Sequence, residues 1–119
     1  MTVDTLLEWY ALATADERAG GESWYREARA CAEYVGSLAG RSVDVGAAVL
    51  ATLSPQAHWN ENQAAAITLA QAYRDRAPMP ESIQGIYGAN IMKAWRILQS
   101  GTVEVCGGYR VNPRGRVIR

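Results

Sequence analysis

The chain has 119 residues, 49% of them apolar and 20% charged, and its 12 Lys+Arg balance 12 Asp+Glu. That length makes about one domain with a modest core, and the composition excludes wholesale disorder. No stretch approaches the ~18 uncharged apolar residues of a membrane span, and no basic segment precedes an apolar run near the start, so neither a membrane anchor nor a secretory signal is expected. Cys31 and Cys106 are too few for a disulfide scaffold, and there is no C-x-x-C, so a reduced, cytoplasmic protein is predicted. His58 is the single histidine, which argues against a zinc site; no metal and no cofactor are expected.

The elements predicted along the chain are mostly helical. In residues 3–14, Val3, Leu6, Leu7 and Tyr10 form one apolar stripe at helical spacing. In residues 23–38, Trp24, Ala28, Cys31, Val35 and Leu38 step by four and three along one face, with Gly40 placed to end the helix. Ser42 or Asp44 can cap a third helix over 45–53. Its residues are apolar nearly all round, so it is predicted to be the buried centre of the domain. A buried strand is the rival there, but alanines and a glycine are poor strand formers.

Ser54-Pro55 punctuates the chain, and a fourth helix is expected over 58–74, with Trp59, Ala66, Leu69 or Ala70, and Tyr73 facing inward. The prolines of Ala77-Pro78-Met79-Pro80 make a stiff connector. A fifth helix covers 89–100, with Ile91, Trp95 and Leu98 inward, Lys93 and Arg96 one turn apart outside, and Gly101 as its stop. Residues 103–111 alternate around Gly107-Gly108, the signal of a short β-hairpin, and 112–119 read as a turn and a basic tail. The expected architecture is a single all-α domain over 1–111: about five helices around the 45–53 helix, with a small terminal hairpin.

Zero net charge hides an asymmetry. Residues 1–61 hold nine acids and four bases, and residues 62–119 hold three acids and eight bases, so the halves carry −5 and +5. Eleven of the twelve bases are arginine, which reads either as the codon bias of a GC-rich genome or as selection for phosphate or carboxylate recognition.

No glycine-rich phosphate loop is present. Cys31 lies mid-stripe and reads as a buried structural thiol, whereas Cys106, beside glycines and near Arg110, reads as more exposed. His58 and Glu61 are spaced for a general base and its partner, though a solvated histidine at a helix start fits as well. The densest polar cluster is Ser54, Gln56, His58, Asn60, Glu61, Asn62 and Gln63. It reads either as a phosphate- or base-contacting loop at a helix N-terminus or as a capped helix start with a wet face.

Ala48-Val49-Leu50-Ala51-Thr52-Leu53-Ser54-Pro55-Gln56, followed by Trp59, Asn62 and Ala66, resembles a motif of small phage and actinobacterial proteins. Those proteins are similar to the helix-hairpin-helix DNA glycosylase superfamily, with its endonuclease-III-type members. Gly85-Ile86-Tyr87 with Lys93-Ala94-Trp95-Arg96-Ile97-Leu98 resembles a second segment of that superfamily, and Gly107-Gly108-Tyr109-Arg110-Val111 looks like the start of its hairpin. The resemblance spans about residues 23–111 and implies that Gln56 faces DNA with Ser54 as cap. The catalytic lysine and aspartate lie further on in such enzymes. No acid follows Glu104 here, so the resemblance implies a degenerate, non-catalytic domain.

Three functional classes follow. The first is a small non-catalytic phage-type nucleic-acid binder, with DNA the expected partner, contacted by Ser54, Gln56, His58, Asn60, Lys93, Arg96, Arg110, Arg114 and Arg116. The second is a phage effector that binds and inhibits a host protein in the host cytoplasm. A half-domain exposing apolar surface also predicts a homodimer. The third is a small enzyme using His58 and Glu61. Whichever holds, Leu50→Asp should destabilise the domain by about 3–5 kcal/mol, since an unpaired charge in a dry helix interface is costly. A thermal melt unchanged by that substitution would show that the 45–53 helix is not central.

Overall fold

The computed structural model describes Val3, Leu6 and Leu7, residues 22–53 and 59–103, and the pairs Arg110–Val111 and Val117–Ile118. Over these residues the fold is all-α, as the periodicities predict. The elements are α1 (Glu22–Ala39), α2 (Val43–Leu53), α3 (Trp59–Arg74), a 3₁₀ turn (Glu81–Ile83), α4 (Gln84–Tyr87), α5 (Ala89–Ser100), β1 (Arg110–Val111) and β2 (Val117–Ile118). Of the helix expected over 3–14, Val3, Leu6 and Leu7 are described; all three are helical, and Leu6 and Leu7 are buried in the core.

The second helix is central. Val45, Gly46, Ala47, Ala48, Val49, Leu50 and Leu53 are all buried, and Leu50 has no exposed surface. The side chains of α1, α3 and α5 close around it: Ala28, Ala32 and Val35 from the first, Ala66, Leu69 and Ala70 from the second, Ile91, Ala94 and Leu98 from the third. Small residues let the axes approach closely. A Cβ placed on Gly46 would overlap the carbonyl of Ala32, so α1 and α2 touch there backbone to backbone. Trp95 is half-buried rather than internal, and its ring meets Tyr73 edge-on, with centroids 6.1 Å apart. Trp24 and Trp59, expected as further bulk, lie in α1 and α3, but their side chains are outside the described residues.

The helix ends follow the punctuation. After α1, the Gly40 N–H bonds Ser37 O at 3.1 Å and the Arg41 N–H bonds Gly36 O at 2.8 Å, the paired bonds of a glycine-terminated helix. Of the two candidate caps of α2, Ser42 takes the role, its Oγ accepting from the Val45 N–H. The turn Glu81–Ile83 and the four-residue α4 were not anticipated, because a single helical turn shows too little periodicity.

Residues 104–109 of the expected 103–111 hairpin lie outside the described residues, and the described strand pairing extends further along the chain. Val103 is in neither strand, and β1 pairs antiparallel with β2, Arg110 opposite Ile118 and Val111 opposite Val117. Asn112-Pro113-Arg114-Gly115-Arg116, which separates them, holds the stronger turn formers, and five residues suit a hairpin loop. Part of the segment read as a basic tail therefore supplies a strand.

The α1–α2 loop supplies the longest-range tie. Arg41 Nε donates to Leu98 O at 3.0 Å, and its Nη2 donates to Gln99 O at 2.7 Å and to the Tyr73 hydroxyl at 2.9 Å. The guanidinium also lies 5.7 Å from the Tyr73 ring centroid. A cation thus caps the carbonyl end of α5, where Gly101 adopts φ 70° and bonds back to Ile97 O. Arg41→Ala should lower the unfolding free energy by about 2–3 kcal/mol, the range for charge-assisted bonds whose partners are left behind. Arg41→Lys should recover only part of it, because an ammonium lacks the planar fork. Urea titrations of both variants test this.

Candidate nucleic-acid interface

Outward from this core, the predicted contact residues fall into three groups. Ser54, Gln56, His58, Arg114 and Arg116 lie outside the described residues, and so does the histidine of the His58–Glu61 pair. Asn60 is in the first turn of α3 and Arg110 in β1, without a described side chain. Lys93 and Arg96 are described and exposed, one turn apart on the outer side of α5.

The polar cluster does not stay together on one wet face. Asn62 is fully buried, and its Oδ1 accepts a 3.0 Å bond from the Tyr87 hydroxyl. It is an internal bridge from α3 to α4. Gln63 reaches α1 instead, its Nε2 donating to Glu27 Oε1 at 3.4 Å. Glu61 is exposed. The Asn62–Tyr87 bond was missed at the sequence level; the one available signal was an asparagine at the α3 position where helical spacing places an inner residue. Burial, with the Glu61 carboxylate adding to it, pushes the Tyr87 phenol up to about 12.

Cys31 is buried, and burial followed by the Glu27 carboxylate pushes its thiol up to about 11. A thiol held neutral is a poor nucleophile, which agrees with its place in the α1 stripe.

Several of the described cations are engaged. Arg41 is consumed at the end of α5, Arg29 pairs with Glu33 at 3.3 Å, and Arg74 pairs with Asp75 at 2.9 Å. Lys93 and Arg96 have no hydrogen-bond or ion-pair partner among the described residues, and α5 contains no acid. In sequence, one acid, Glu104, follows Glu81, against six bases. Chemically this is a small cationic face with no acidic partner among the described residues, of the charge that suits phosphate. Among the described residues no group of three His, Cys, Asp or Glu could hold a metal ion, and no helix is long and apolar enough to cross a membrane.

A family model described as a family of unknown function (DUF7178) matches residues 1–107. No curated protein and no solved structure matches the chain.

The two buried acids carry a pH signature. Each is neutral in the fold with its pKa raised, so its stabilising contribution is complete below the free pKa and is lost as pH rises through the folded one. For Cys31 the window runs from 9.0 to about 11, and for Tyr87 from 10.0 to about 12. Tyr87→Phe should cost about 1–2 kcal/mol at neutral pH through the lost bond to Asn62. Urea midpoints followed into alkali should then fall less steeply in this variant than in the native chain across the tyrosine window.

Proposed function

We propose, from the premise that the chain belongs to this DUF7178 family of unknown function, that it is a non-catalytic nucleic-acid-binding protein. The observation that carries the reading is the outer face of α5, where Lys93 and Arg96 stand exposed with no acidic partner among the described residues, while Arg29 on α1 and Arg74 on α3 are ion-paired. Arg110, Arg114, Arg116 and Arg119 follow with no acid after Glu104, extending the same sign of charge along the chain. The acidic half balances the total, but phosphate responds to the local field rather than to the sum. The resemblance of residues 48–66 and 85–98 to the helix-hairpin-helix glycosylase superfamily supports the same partner.

A host-protein partner would be favoured by a contiguous apolar surface. The exposed large apolar side chains among the described residues are Tyr34 on α1, 50% exposed, and Met92 on α5, 41% exposed. Met92 adjoins Lys93, which fits a nucleic-acid face as readily as a protein one.

Counterion release makes the proposal quantitative. Changing Lys93 and Arg96 together to Gln should flatten the slope of log affinity against log salt by about two units, and changing Arg110, Arg114, Arg116 and Arg119 to Gln by up to about four. Affinity for DNA and RNA oligonucleotides at several salt concentrations measures both. Equal slopes for native chain and variants, or no binding at all, would overturn the reading.

A further inference from the structure

The exposed face of α5 has a shape as well as a charge. Met92, Lys93, Arg96 and Gln99 are all exposed, and Arg96 lies four residues from Met92 and three from each of Lys93 and Gln99, so they share one outer face centred on Arg96. The opposite side is anchored by Ile91, Ala94, Ile97 and Leu98, all buried. The far end is held by Arg41, which bonds the carbonyls of Leu98 and Gln99. A 12-residue helix is about 18 Å long. With its side chains it is about 10–12 Å across, which matches the roughly 12 Å width of the major groove of B-form DNA.

We propose that α5 is a groove-entering helix whose occupant is double-stranded DNA, received at its major groove; this rests on the nucleic-acid reading above. Charge complementarity selects the occupant, since α5 carries two exposed cations with no acidic partner among the described residues and contains no acid itself. The uncharged members of this face suit the groove floor. Gln99 offers the amide that pairs in bidentate fashion with an adenine edge, and Met92 offers an apolar contact for a thymine methyl. Lys93 and Arg96 reach the flanking phosphates, and Arg96 is also of the type that reads guanine. A-form RNA is a poor alternative because its major groove is too deep and narrow for side chains to read.

The experiment uses the full chain with Cys106→Ser, so that buried Cys31 is the remaining native thiol, and adds Gln99→Cys. Duplexes of about two helical turns carry a thiol tether on a base, either at cytosine N4 in the major groove or at guanine N2 in the minor groove. Disulfide cross-linking is expected to the major-groove tether and not to the minor-groove one. Duplex DNA should bind about tenfold more tightly than double-stranded RNA or single-stranded DNA of equal length at one salt concentration. Lys93→Gln with Arg96→Gln should abolish that preference without moving the thermal midpoint, since both side chains are exposed. Cross-linking to the minor-groove tether or to neither, or equal binding of the three nucleic acids, would overturn the groove assignment while leaving nucleic-acid binding standing. No binding to any of them would overturn both.

Discussion

The guanidinium of Arg41 joins three parts of the molecule that are distant in sequence. It sits in the loop that turns α1 into α2, and it reaches the last carbonyls of α5 and the Tyr73 hydroxyl on α3. Those carbonyls are the unsatisfied, negative end of a helix whose inner side is already in the core. One cation therefore satisfies a helix terminus and orients it relative to the central helix. Tyr73 then stacks edge-on against Trp95, closing the contact between α3 and α5. The outer face of α5 has a defined direction because its inner face, its end and its neighbouring helix are all held.

The core mixes large aliphatic side chains, among them Leu50, Leu69, Ile91 and Leu98, with small residues at the closest helix contacts. Gly46 meets the Ala32 carbonyl with no side chain between, and Ala28, Ala47, Ala48, Ala66, Ala70 and Ala94 are each buried. The alanines and glycine let helix axes come close, so backbone atoms share the contact. Tyr73 and Trp95 pack against this core from its margin, whereas Tyr87 is taken inside it.

Polar groups divide by the same logic. Asn62 and Tyr87 are inside and satisfy one another, as buried polar groups must. Lys93 and Arg96 are outside and meet no described acid, which is affordable only where water or an anion is the alternative partner.

Periodicity in the sequence was enough to determine the helical class, the four long helices to within a residue or two at each end, the burial of α2 and the exposure of Lys93 and Arg96. Each of these depends on local spacing and on which side chains water rejects. The glycine at position 40 and the one at 101 were legible as stops, because a left-handed turn favours that residue wherever it occurs. What the tertiary structure decided were the pairings across long sequence separations: Asn62 with Tyr87, Arg41 with Leu98 and Gln99, and Val111 with Val117. A polar residue reads alike from sequence whether it meets water or a partner on another helix. Only the packing of the helices fixes which polar atoms lose their water, and so made Asn62 a core residue while it left the outer face of α5 exposed.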